Sequence, residues 1–481
     1  MTIVQYPAPK ARHRAVPAIA VYAHGVLVAV LAWGALAFGA VYPWAYWPLA
    51  AASVTVAVVG LTVHRRVSPK PLGLGALAVA FGMFLVAGLV QLAPLSLARL
   101  AAVSPEATRV VMQMDLAMVA GTVHPHPLSI SPDLTRVGLA LFASFALLVL
   151  GGACLLSLRG ARRVAEALAV IGAVVAFVAI AQKPFANGNV YGFWTPVDGG
   201  SPYGPFVNRN HFAGWMLMAL PVTLGLVCAG IARAMEGVRP HWRDRLMWFS
   251  SPEANRIVLT AAATLLMALA LVLTMSKSGI TSFAVAVAMT AVFVVRRQWS
   301  RSRTAIAVGY LMLLPVVAFG WAGADLIASR FSTADWSELN ARRGAWADAV
   351  AVTARFPLTG TGLNTYGVAT ILYQRNDLEH HYDQAHNDYL QLAAEGGVLL
   401  VVPAAVCLGI FVVAVRRRFH HETSATAYWL RVGAVTSLTA IALQETVDFS
   451  LQMPGNAALF AVLCAIALHK APQKRSTPTS A

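Results

Sequence analysis

Four short polar stretches stand out in an otherwise apolar chain, and each holds residue types that can do chemistry. The most informative is His386-Asn387-Asp388-Tyr389-Leu390-Gln391-Leu392-Ala393-Ala394-Glu395-Gly396-Gly397, which runs into an apolar segment. Histidine takes or gives a proton near neutral pH, and a nearby carboxylate fixes its tautomer. At helical spacing His386 and Leu390 lie one turn apart, and Asp388 and Glu395 lie two turns apart. The glycines then relax the helix. A lone histidine also serves structural ends, and His380 and His381 precede this one closely. Metal binding by His380, His381 and His386 would need a compact carboxylate or thiolate set that the sequence does not supply, so no metal is expected.

The other three stretches supply cations. Gly204-Pro205-Phe206-Val207-Asn208-Arg209-Asn210-His211 leads into an apolar segment. Asn208 or Asn210 can cap a helix there, and free backbone N–H groups beside the Arg209 guanidinium make an anion site. An interfacial arginine anchor with a capping Asn is the plainer reading. Thr274-Met275-Ser276-Lys277-Ser278-Gly279 forms a hairpin in which Lys277 is the only charge between two apolar runs. It either snorkels to the interface or projects toward a ligand. Arg342-Arg343-Gly344-Ala345-Trp346 has helical periodicity, with Trp346, Val350 and Val352-Thr353 able to share a packing side with Arg343. Phe356-Pro357-Leu358-Thr359-Gly360-Thr361-Gly362 must turn. The two arginines either clamp phosphate or pair with Glu338 and Asp348.

The rest of the chain must hold these stretches at a membrane. Of 481 residues, 58% are hydrophobic and 12% charged, with mean hydropathy +0.65; a soluble domain carries about 25% charged residues. Apolar segments suited to a hydrocarbon core of about 30 Å fall near 16–40, 46–63, 72–94, 137–157, 164–182, 212–232, 257–275, 279–295, 304–323, 398–415, 425–443 and 451–469. Backbone groups find no water in lipid, so these should be helices. The expected fold is an all-α polytopic membrane protein of about 12 transmembrane helices, with a long, partly helical periplasmic loop between helices 9 and 10.

Charge fixes the expected orientation. The net charge is +16, but the basic residues sit in short clusters on alternate sides of the apolar runs, with 25 of the 36 Lys and Arg on one side. That is the positive-inside pattern, with both termini cytoplasmic; it is not a basic face with interleaved aromatics, and no nucleic acid partner is expected. The counted residues include Lys10, Arg12, Arg14, Lys70, Arg239, Arg245, Lys474 and Arg475. Ala35-Leu36-Ala37 resembles a cleavage site, but the apolar run before it exceeds the usual signal core of about 7–15 residues, so it reads as a retained helix. The opposite side receives loops near 95–136, 183–211 and 324–397, and the last holds nine acidic residues and five arginines. Cys154, Cys228, Cys407 and Cys464 all lie in apolar runs without ligand spacing and read as small buried hydrophobes.

Taken in order, Asn-Arg-Asn-His at 208–211, Ser-Lys-Ser-Gly at 276–279, Arg-x-x-x-Trp at 342–346, Pro-Leu-x-Gly-x-Gly at 357–362 and His-Asn-Asp-Tyr-Leu-Gln at 386–391, with Glu-Gly following, resemble the O-antigen ligase and Wzy-type polymerase superfamily. The resemblance covers roughly residues 200–455. It divides the chain into membrane helices 1–5 with their loops (1–199), the ligase-like region (200–455, with the loop 324–397), and a last helix with its tail (456–481). It implies transfer of a glycan from an undecaprenyl-diphosphate carrier to an acceptor, on the periplasmic face of a bacterial inner membrane and without a cofactor. Arg209 and Lys277 would hold the diphosphate, and His386 would help deprotonate the acceptor hydroxyl. Arg342, Arg343, His211, Asn387 and Asp388 would contact the diphosphate or glycan, with Trp346, Tyr389 and Glu395 in support. The family often has arginine in the hairpin; Lys277 offers a point charge in place of a bidentate fork.

Three acceptors stay open: lipid A-core for a ligase, a carrier-linked repeat for a polymerase, or a protein hydroxyl. A secondary transporter is the rival of another class. Transporters place ionisable groups near the bilayer midplane and show repeat symmetry, whereas these spans are almost free of charge.

Overall fold

The computed structural model describes residues 17–68, 71–185, 187–197, 199–234, 243, 247–248, 250–297, 300–323 and 336–472. Lys10, Arg12, Arg14, Lys70, Arg239, Arg245, Lys474 and Arg475 lie outside these residues, as does the first part of the 324–397 loop; the Glu338 side chain is likewise not described. Among the described residues the chain is helical with only isolated β-bridges. Nine helices are long and apolar enough to cross a membrane. These are α1 (Ala18–Leu36), α2 (Pro43–Val67), α7 (Pro132–Arg159), α8 (Arg162–Gln182, extended to Phe185 by a 3-10 turn), α9 (Arg209–Arg233), α10 (Pro252–Leu273), α11 (Lys277–Arg296), α12 (Arg301–Ala322) and α15 (Asp388–His420). The three other expected spans are also helices: α3 (Gly75–Val90), α16 (Ala425–Gln444) and α17 (Pro454–Leu468). Two of them are shorter, at 16 and 15 residues, and α16 carries a buried arginine at its start.

Helix α9 forms the centre of the bundle, with Phe212 to Leu224 buried without interruption. A helix apolar on every side has to be enclosed by other helices. α16 lies along it closely enough that Gly225 faces the Trp429 carbonyl and Gly433 faces the Pro221 carbonyl, with no room for a Cβ at either. Between these two contacts, near the start of α16, Arg431 is fully buried. Its guanidinium donates to the carbonyls of Ala467 (2.9 Å) and His469 (2.8 Å) and pairs with Glu422 at 3.0 Å, which ties α16 to both neighbouring segments.

The loop at 95–136 is not open coil. It forms α4 (Leu97–Val103), α5 (Pro105–Met114) and α6 (Leu116–Val119). These pack with α13 (Trp336–Arg355) and α14 (Tyr366–Tyr373) around Leu100, Val110, Val111, Val352, Phe356 and Tyr366. Arg355 and Glu106 join the two halves at 2.9 Å. The packing side of α13 differs from the expected one: Ala345, Ala349 and Val352 are buried, while Val350 and Arg343 are exposed.

This lobe is fixed to the bundle through a break in α15. Gly397 has φ 52° and ψ −157°, so the helix is interrupted there. The Val398 and Leu399 N–H groups turn to the carbonyls of Pro357 and Leu358, both at 3.0 Å. The vacated carbonyls of Ala394 and Glu395 accept from the N–H groups of Thr361 (3.0 Å) and Gly362 (2.9 Å). Gln91, at the end of α3, donates to the carbonyls of Thr359 and Glu395 and accepts from the Leu363 N–H. Gly360, at φ 64°, lies so close to the Glu395 carbonyl that a Cβ would collide with it. Gly360→Ala is therefore expected to destabilise the protein by about 2–4 kcal/mol. A thermal-aggregation midpoint in detergent checks this, and an unchanged midpoint would contradict the packing described.

Candidate active site

Two helix beginnings meet at one end of the bundle. Asn208 caps α9, its Oδ1 accepting from the Asn210 N–H at 2.8 Å, and Ser276 caps α11, its Oγ accepting from the Gly279 N–H at 3.3 Å. The turn before α11 is tight, with Met275 at φ 55°. The first helical residue in each case is a cation, Arg209 or Lys277. A cation at a helix N-terminus is placed against the dipole, where only an anion is favoured. Arg342 joins them from α13, and the three line one cleft of about 110 Å³ with Ser201, Asn210, Met275, Ser276 and Ser278. The Lys277 carbonyl accepts from the Thr281 hydroxyl at 2.9 Å, while its ammonium makes no hydrogen bond or ion pair among the described residues.

His386 adjoins this cleft through Arg342. It sits at φ 50°, its carbonyl accepts from the Trp346 indole at 3.2 Å, and its ring meets Phe449 edge-on at 4.7 Å. The Nδ1 atom is buried without a hydrogen-bond partner among the described residues. Burial, reinforced by the Arg342 charge, pushes the imidazole pKa down to about 4. The ring is therefore neutral at neutral pH and has a lone pair to offer.

A set of carboxyl groups lies behind it. Asp448 accepts from the Phe449 N–H at 2.9 Å and from the Ser278 hydroxyl at 3.4 Å, and Gln452 donates to Asp388 at 3.0 Å. Asp448 and Glu445 are almost completely buried. Burial raises both, and the charges of Asp388 and Asp448 push Glu445 well above the usual carboxylate range. The Arg342 charge opposes the rise at Asp448. Glu445, Asp448, Phe449 and Gln452 were not singled out from the sequence. The available signal was two acids in the short connection between the last two apolar runs.

The other expected site residues divide. Arg209, Lys277 and Arg342 share the cleft, whereas Arg343 is exposed on α13 and does not line it. His211 is buried, and its ring also meets Phe449 edge-on at 4.7 Å. Asn387 is spent on structure: its Oδ1 caps α15 through the Tyr389 and Leu390 N–H groups, and its Nδ2 donates to the Thr446 carbonyl. The Tyr389 hydroxyl donates to the Ala442 carbonyl at 2.7 Å. Glu395 accepts from the N–H groups of Asn364 (2.6 Å) and Tyr366 (3.1 Å), so it holds the turn into α14. Asp348 does not face Arg342's cleft; it accepts from the N–H groups of Arg375 and Asn376. His380 and His381 pair with Asp377 and Asp383, and among the described residues no three His, Cys, Asp or Glu are placed to hold a metal ion.

A protein-family model described as O-antigen ligase matches residues 262–405. The match supports membership of the O-antigen ligase/Wzy superfamily. It takes in Lys277, Arg342 and His386, and leaves Arg209, Glu445 and Asp448 outside. No curated protein matches the chain. The matched region includes, in part or whole, four of the helices long and apolar enough to cross a membrane, together with the segment that carries Arg342 and His386.

The cleft predicts its own ligand response. In full-length protein in lipid nanodiscs, Arg209→Ala, Lys277→Ala and Arg342→Ala should each weaken pyrophosphate binding roughly tenfold or more, as for a charge-assisted bond of about 1.5–3 kcal/mol. Arg343→Ala should cost clearly less. Equal losses for Arg342 and Arg343 in a calorimetric titration would contradict the assignment.

Proposed function

We propose that this protein transfers an oligo- or polysaccharide from an undecaprenyl-diphosphate carrier to an acceptor hydroxyl at the periplasmic face of a bacterial inner membrane. The observation that carries the reading is the convergence of Arg209, Lys277 and Arg342 on one cleft beside a half-buried, neutral His386. The family match supports the reaction class. The alternating basic clusters support twelve spans with both termini in the cytoplasm and the cleft outside.

The chemistry asks for little beyond these groups. The acceptor oxygen attacks the anomeric carbon from the face opposite the diphosphate, so the configuration inverts. As the new C–O bond forms, the old bond to phosphate breaks and its electron pair moves to the diphosphate. The three cations and the two helix N-termini neutralise that charge where it develops. The acceptor proton passes to His386. A base of such low pKa is weak, which suits a reaction in which the leaving group departs early and the hydroxyl becomes acidic only late. Lys277 stands where relatives often have arginine and serves as a point charge. We read the acceptor as lipid A-core, following the ligase description of the family, with a carrier-linked glycan in a polymerase as the alternative.

Two measurements test this. His386→Ala should lower transfer by about 10²–10⁴-fold at constant membrane abundance. The imidazole must be neutral to act, and its free-enzyme pKa lies below the ordinary 6.5. The kcat/KM profile should therefore stay level from neutral pH down through 6 and fall only near pH 4. An acid limb at 6.5 would contradict the lowered imidazole pKa. A deletion strain then separates the acceptors. Long polymer left on the carrier marks a ligase, whereas single repeats, trapped or transferred, mark a polymerase. Loss of glycoprotein with intact surface glycan marks protein modification.

A further inference from the structure

The hairpin between α1 and α2 and the 187–197 segment together build an aromatic assembly that the transfer chemistry does not use. Phe38 is its hub, with ring centroids 5.4 Å from Trp194, 5.6 Å from Tyr191, 5.9 Å from Tyr42 and 6.0 Å from Trp44. Tyr42 and Trp44 stack at 6.2 Å, and Tyr191 and Phe193 stack at 6.1 Å. Phe193 is 73% exposed and Trp44 50%.

Isolated aromatics at such a height are ordinary in membrane proteins, each anchoring at the interface by itself. This group is built differently. The Trp194 indole donates to the Tyr42 hydroxyl at 3.1 Å and the Tyr191 hydroxyl donates to the Leu36 carbonyl at 2.6 Å, so the rings are locked to one another and to the backbone. Phe38, Gly39 and Ala40 all have positive φ, an arrangement costly for the two non-glycine residues. One border is polar: Thr195 donates to Asn189 at 3.2 Å, and both belong to a short loop turned by Asn187, Gly188, Tyr191 and Gly192 at positive φ, while Trp33, Leu36 and Val197 are exposed on the other borders. Polar groups at that one border face water more readily than acyl chains.

The assembly also joins the cleft rigidly. Gly39 lies against the Phe206 ring, two residues before the Asn208 cap. The Gly39 carbonyl abuts Gly455, and the neighbouring Asn456 donates to the His211 carbonyl at 3.0 Å. Ser201, four residues after Val197, already lines the cleft. We propose that Phe38, Tyr42, Trp44, Tyr191, Phe193 and Trp194 form a platform that binds the donor's glycan by stacking on the apolar faces of its sugar rings, beyond the sugar attached to the diphosphate. The proposal rests on the transfer function given above and adds a subsite to it. Rigid aromatic faces bind at little entropic cost because few torsions are frozen.

The test compares two carrier-diphosphate donors, one bearing the full host repeat and one bearing a single sugar, with purified full-length protein in nanodiscs. The ratio of kcat/KM for the long donor to that for the short one should fall about tenfold in Phe193→Ala and in Trp44→Ala. Phe193→Tyr should restore it. A ratio equal to that of the unaltered protein, or equal losses on both donors, would overturn the platform. A second measurement stands apart from catalysis: binding of fluorophore-labelled oligosaccharide, released from the host carrier by mild acid. Binding to the unaltered protein that both alanine variants lose supports the platform even if no transfer is seen, in which case the transfer reading alone falls. Absent binding, or rings quenched by brominated acyl chains whether or not oligosaccharide is added, would assign them to lipid and overturn the proposal.

Discussion

A helix that breaks inside a folded protein leaves backbone groups that need new partners, and each one left unpaired costs several kcal/mol. The break at Gly397 in α15 is resolved within the protein, because 357–363 supplies both the donors and the acceptors that the interrupted helix lacks. Gln91 closes the same knot from α3 with three hydrogen bonds. Everything above the break depends on this exchange. It docks α13, which carries Arg342, and lets the first turns of α15 point away from the membrane helix below. The Glu395 carboxylate then fixes the turn into α14, and Gln391 accepts from the Ala385 N–H and so holds the segment that ends in His386.

The second organising feature is electrostatic. Arg209 and Lys277 stand at the positive ends of two helices, an arrangement unfavourable in the absence of an anion. Arg342 adds a third positive charge and lowers His386 further. Opposing them, burial raises Glu445 and Asp448, and the charges of Asp388 and Asp448 raise Glu445 further, whereas the Arg342 charge holds Asp448 down. Among the described residues the three cations line the cleft itself, and none of the three acids does. On the proposed function, a diphosphate would relieve the repulsion among the cations, and more so as charge builds on it in the transition state.

Much of this was legible in the sequence because membrane helices declare themselves by length and apolarity. Helices occupy all twelve expected positions, although α3 and α17 are short and α16 is too polar to qualify by composition. Arg209 and Lys277 were legible as charges beside apolar runs, and Arg342 as one of an adjacent pair in the long loop. Adjacent Arg342 and Arg343 could not be separated, since neighbours on a helix point about 100° apart and the packing side depends on distant residues. Asn387 looked like a ligand-facing group, yet Asn directly before a helix is a cap by ordinary rules. Glu395 shares its helix with Asp388, but its partners come from a loop thirty residues away, which periodicity does not reveal. Glu445 and Asp448 escaped notice because their connection is short, and only the tertiary fold brings it under His386.

The central claim is that Arg209, Lys277 and Arg342 form one diphosphate site. Electron cryomicroscopy of the full-length protein in nanodiscs with undecaprenyl diphosphate tests it most directly. The account predicts diphosphate density bridging the three cations and the Ser276 and Ser278 hydroxyls, with the polyprenyl chain leaving toward lipid. Diphosphate held elsewhere, with those three side chains turned to solvent, would contradict it.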